Sequence, residues 1–153
     1  VISADDYLYY AEKALDSMAA VLEDLGDELA NRRPDLPGAN SPYAIVTHCL
    51  GVVEWWAGRL VSGRPVERDR EAEFSATGAV TDLVARVEQV KQQFRADVVA
   101  ADPRAPLREA PVDRHRDKPA GRSAGGAFQH VYEELAQHLG HLELTRDVLR
   151  GKG

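Results

Sequence analysis

The sequence predicts an all-α protein, a four-helix bundle with long connections between helices two and three and between helices three and four. Three observations carry this. Apolar residues recur in steps of three and four over four separate stretches. Ser, Pro and Gly punctuate the gaps between them. No segment shows the two-residue alternation of a half-buried strand. With 153 residues and 44% hydrophobic content, a single domain over residues 1–153 is expected.

Helix one reads from about Ser3 to Asn31. Ser3 is its N-cap, Asp5 and Asp6 suit the positive end of its dipole, and Leu8, Ala11, Leu15, Met18, Leu22, Leu25 and Leu29 form its seam. Pro34, Pro37 and Gly38 end it. Ser41 caps helix two with Pro42 at the first helical position, and Gly63 and Pro65 stop it after about Ser62. Its inward stripe is Ile45, His48, Val52, Trp55 or Trp56, and Arg59. Val66 to Gly78 is dense in charge and reads as a solvated loop with at most a short helical turn. Helix three runs from about Thr81 to Ala101, with Leu83, Val87, Phe94 and Val98 on its core face. Pro103 to Arg122, with Pro106, Pro111 and Pro119, is a long irregular connection. Ser123 then caps helix four, which runs to about Arg150 with its first turn weakened by Gly125 and Gly126. Leu15, Met18, Leu22, Val87, Phe94, Leu135 and Leu142 are the expected core.

Composition narrows the function classes. A net charge of −6 argues against a surface that coats nucleic acid. No apolar run is long enough to span a bilayer, and the first residues carry no basic start followed by an apolar block. Cys49 is the only cysteine, so no intrachain disulfide forms. The expectation is a cytoplasmic protein acting on small molecules, without nucleic acid or membrane as partner. A homodimer remains an open expectation for a small bundle with apolar helix faces.

The chemistry concentrates in helix four. Glu134 and His138 are one turn apart on the stripe Val131, Leu135, His138, Leu142, Thr145 and Leu149. A carboxylate and an imidazole on an inward face need a partner, and a divalent metal is one. His48 on helix two offers a third ligand. Two imidazoles and a carboxylate leave coordination positions open, as in catalytic zinc sites; nickel and non-haem iron suit the same set. His130 and His141 lie nearly one turn to either side and compete as ligands or orienting groups. His115 reads as a surface residue. Cys49 points about 100° around the helix from His48 and reads as a small core residue.

Ser41-Pro42 leading to His48, then Gly51-Val52-Val53-Glu54-Trp55-Trp56, and His130 through His141 ending in Leu142-Glu143-Leu144-Thr145-Arg146, resemble the DinB-like superfamily. Within it the chain is most similar to the branch of mycothiol-dependent transferases and the maleylpyruvate isomerase metal-binding domain. The resemblance implies a four-helix bundle holding zinc or another divalent metal on His48, Glu134 and His138. It also implies transfer of a thiol, mycothiol, to a small-molecule electrophile. His130 or His141 would orient ligands or handle protons, and Arg114, Arg116 and Arg122 would contact anionic groups of cofactor or substrate. A non-catalytic, stress-associated metal-binding module and a non-haem iron oxygenase stand as the alternatives.

Overall fold

The computed structural model describes residues 2–151, apart from the Asp113 side chain, and is all-helical, with no strand among those residues. Val1, Lys152 and Gly153, which belong to the expected domain span, lie outside the described residues. The long helices are α1 (Ala4–Ala30), α2 (Pro42–Val53), α4 (Val80–Ala100) and α7 (Ala124–Leu149). Single-turn helices α3 (Arg70–Glu73), α5 (Asp113–Arg116) and α6 (Pro119–Arg122) lie in the two long connections. α1 packs against α4 and α7, and α2 packs against α7, α4 and α1.

The expected punctuation is the punctuation observed. Ser3 accepts from Asp6 N at 3.0 Å, Ser41 from Ala44 N at 3.1 Å and Ser123 from Gly126 N at 3.1 Å. Two local features go beyond the sequence reading. At Gly26 (φ 70°, ψ 173°) α1 kinks in a region open to glycine, and Asp27 turns back toward α4. Its carboxylate accepts from Val80 N at 2.7 Å and so caps α4, whose own N-cap, Ala79, has no side chain to do it. Beyond Val53, α2 continues as a π-helical segment, Glu54–Val61, where helix two had been expected to run on unchanged.

Gly126 proves necessary rather than merely tolerated: a Cβ there would overlap the Pro119 carbonyl. A Cβ on Gly125 would press on Pro103, whose carbonyl accepts from Gly125 N at 2.9 Å. The connection between α4 and α7 is thereby laid tightly over the start of α7.

All seven expected core residues are buried. Leu135 is fully enclosed, next in sequence to the Glu134 of the candidate site. Leu135→Ala is therefore expected to lower stability by about 2–5 kcal/mol in urea unfolding of chelator-treated protein. A loss below about 0.5 kcal/mol would mean that this face of α7 is not core.

Candidate metal centre

The geometry begins with two helix faces. α2 turns His48 inward on the stripe that buries Ile45 and Val52, leaving the imidazole 3% exposed. α7 turns Glu134 and His138 toward it, one turn apart. The three residues present ligand atoms that all lie within 4.8 Å of one another. Glu134 Oε2 is 3.6 Å from His48 Nε2 and 3.3 Å from His138 Nε2. Those separations are long for hydrogen bonds. They match the edge of a tetrahedral shell, about 3.4 Å for bonds of about 2.1 Å. The donor set and its spacing fit a divalent cation, with at least one position left for a further ligand.

Charge supports the same reading. His138 and His48, close to the Glu134 oxygens, hold that carboxyl far below the usual carboxylate range despite partial burial. Burial pulls the His48 pKa down, but its contacts with Glu134 and Glu73 outweigh this and raise it overall. In the metal-free protein Glu134 is thus an anion facing two imidazoles, a negative charge that a bound cation would meet.

The connection expected to be solvated surface contributes directly to the site, which corrects the sequence reading. Glu73, at the end of α3, is 7% exposed. His48 Nδ1–H donates to Glu73 Oε2 at 2.8 Å, which turns Nε2 toward Glu134. Arg68 grips the same carboxylate, Nε to Oε1 at 2.6 Å and Nη2 to Oε2 at 3.0 Å. Phe74 stacks on the His48 ring at 4.8 Å between centroids. This is the carboxylate–histidine arrangement that fixes the tautomer and angle of a metal ligand. His138 has no such support among the described residues: its Nδ1 is buried without a hydrogen-bond partner.

A signal for Glu73 does exist in the sequence. Gly51 sits inside α2, one turn beyond His48, where glycine weakens a helix. A Cβ there would overlap Glu73 Oε1. The glycine admits the carboxylate to the back of the imidazole.

Beside the triad opens a cavity of about 240 Å³. His48 and Glu134 line it, together with Trp55, Trp56, Arg68, Arg70, Arg114, His115 and His130 among others. His115, expected on the surface, is instead partly buried, its ring 5.1 Å from Trp56 and 4.9 Å from His130. His130 packs on Trp56 at 4.8 Å and is held through Nδ1 by Glu133 Oε2 at 3.1 Å. The π-helical segment carries Trp56, which packs against both rings.

The other expected site residues sit as follows. His141 is exposed, 6.0 Å from the His138 ring, and is not among the residues lining the cavity. Arg114 lines the cavity. Arg122 donates to the Asp117 carbonyl, stapling its own loop, and neither it nor Arg116 lines the cavity. Cys49 is fully buried in the core, as expected; burial, with Glu134 and Glu73 adding, pushes its thiol far above the usual range. No helix among the described residues is long and apolar enough to cross a membrane.

No curated protein and no solved structure gave a match. A family model described as Mycothiol-S-transferase matches residues 7–151, a span that takes in α2, α7 and the connection carrying Glu73. The match extends over nearly all of the sequence, and the chain belongs to the Mycothiol-S-transferase family, part of the DinB-like superfamily.

Proposed function

We propose that the protein is a metal-dependent thiol S-transferase that joins mycothiol to a small electrophile in the cytoplasm. Its four long helices would form the DinB-like bundle. The observation that carries this reading is the His48, Glu134 and His138 set, spaced as a metal shell with a position left open beside a cavity. Zinc is the metal we favour, because two imidazoles and a carboxylate with an open position are a catalytic zinc set.

His48, Glu134 and His138 would hold the metal. When bound, the metal lowers the pKa of a coordinating thiol, so that the thiol is present as thiolate at neutral pH. Glu73 and Arg68 keep His48 in the tautomer that ligation needs. His130, with Nδ1 held by Glu133, offers Nε2 to the cavity and takes the thiol proton there. Trp55 and Trp56 wall the second reactant close to the sulfur, so proximity supplies much of the rate. The thiol sulfur forms the new bond to the electrophilic atom, and the leaving group departs with the bonding pair. No protein nucleophile enters, since the Cys49 thiol is enclosed and protonated.

Thiol transfer from mycothiol, bacillithiol and glutathione to a chlorodinitrobenzene is expected to track metal occupancy, fastest with mycothiol. Cys49→Ala should retain activity. Equal rates for loaded and chelator-stripped protein with every thiol would overturn the proposal. So would loss of activity in Cys49→Ala at full metal content.

A further inference from the structure

The charges around the cavity mouth do not match mycothiol. That thiol is an N-acylated cysteine amide of an aminosugar, so its sulfur is its only acid. Yet in a protein of net charge −6, three guanidiniums line this one cavity: Arg68, Arg70 and Arg114. The single carboxylate among the lining residues, Glu134, belongs to the ligand set. Arg68 is committed to Glu73. Arg70 and Arg114 are not paired with a carboxylate among the described residues. Arg70 lies over the Phe74 ring at 5.6 Å, and Arg114 Nε donates to His115 Nε2 at 2.9 Å. Both side chains reach solvent at the mouth.

We infer that the electrophile carries a carboxylate or a like anionic group, and that Arg70 and Arg114 receive it. The inference rests on the thiol-transfer reading above. A planar guanidinium pairs with a carboxylate through two parallel hydrogen bonds, which fixes orientation as well as charge. Trp55, Trp56, Val52 and Val112 are the apolar residues lining the cavity, so the body of the molecule is flat or apolar. At about 240 Å³ the cavity falls below the range of about 300–1,000 Å³ that holds drug-sized ligands. An electrophile of about one substituted ring fits. Anchored by its anionic end at the mouth, it would point its other end at the ligand set. The positive mouth would also draw anions toward an otherwise acidic protein.

The chain's two tryptophans, Trp55 and Trp56, both line this cavity, so tryptophan fluorescence reports binding without turnover. Metal-loaded protein titrated with 4-nitrobenzoate and its neutral isostere 4-nitrobenzamide should bind the acid about 10-fold more tightly, the effect of one charged hydrogen-bonded contact. Arg70→Met and Arg114→Met should each remove most of that preference, with metal content as the internal reference. Equal affinity for the two probes, or no binding of either, overturns the inference. So does a preference that survives both arginine variants and vanishes on chelation, which would place the carboxylate on the metal. A kinetic arm separates this inference from the reading beneath it. With mycothiol, 4-chloro-3,5-dinitrobenzoate should show a KM about 10-fold below that of 1-chloro-2,4-dinitrobenzene, and the arginine variants should close the gap. Transfer to both at equal KM sinks the anionic electrophile and leaves thiol transfer standing. Arginine-dependent binding of the acid without any transfer does the reverse.

Discussion

His48→Ala is expected to release the metal and abolish thiol transfer while the protein stays folded. The imidazole is one of three donors, and its removal takes away a ligand from the helix opposite the other two. Loss of an outer partner of a ligand typically costs about 10–100-fold in metal affinity, so loss of the ligand itself should exceed that range. The remaining groups are not stranded. Glu73 and Arg68 still pair with each other, and Glu134 still faces His138. Circular dichroism should therefore be near wild type, while elemental analysis after gel filtration finds little metal. Full metal content in the folded variant would remove His48 from the ligand set.

Glu73→Ala should produce the second largest effect, and on two properties at once. It strands the Arg68 guanidinium and the His48 Nδ1–H, both largely shielded from water. Breaking one side of a buried ion pair costs about 3–5 kcal/mol, and the partial exposure of Arg68 places this case near the lower end. Metal affinity, measured by competition with a chromogenic chelator, should fall about 10–100-fold. Gly51→Ala tests the same contact without altering any charge or ligand. The added methyl occupies the place of Glu73 Oε1 and pushes the carboxylate off the imidazole. Wild-type metal affinity in both folded variants would show that the Glu73 contact does not position His48.

The sequence makes the helices and the ligands legible for the same reason. Periodic apolar residues mark which face turns inward, and His48, Glu134 and His138 stand on those faces. Leu15, Phe94 and Leu142 are buried on the same logic. What it conceals is contact across the connections. The run from Glu67 to Glu73 is charged like any solvated loop, and periodicity has nothing to say about a segment with a single helical turn. Only a tertiary contact turns Glu73 from surface charge into the partner of a ligand. His115 was hidden likewise: its placement against Trp56 depends on how the α4–α7 connection folds back. The π-helical turn at Glu54–Val61 departs from the ordinary helical period, which a repeat of three and four cannot reveal. Gly51 was legible but ambiguous, since a glycine inside a helix announces that something approaches without saying what.

The donors come from two helices far apart in sequence, His48 on α2 and the others on α7, and no unfolded chain holds them together. A cation at the centre is therefore a clasp between distant parts of the chain, and its binding energy is also folding energy. At a free metal concentration one hundred times its dissociation constant, the clasp adds about 2.7 kcal/mol to the stability of the fold. The melting temperature then becomes a gauge of free metal. In a cell short of that metal, the first consequence would be a chain that opens more often and is cleared sooner, ahead of any loss measured in catalysis.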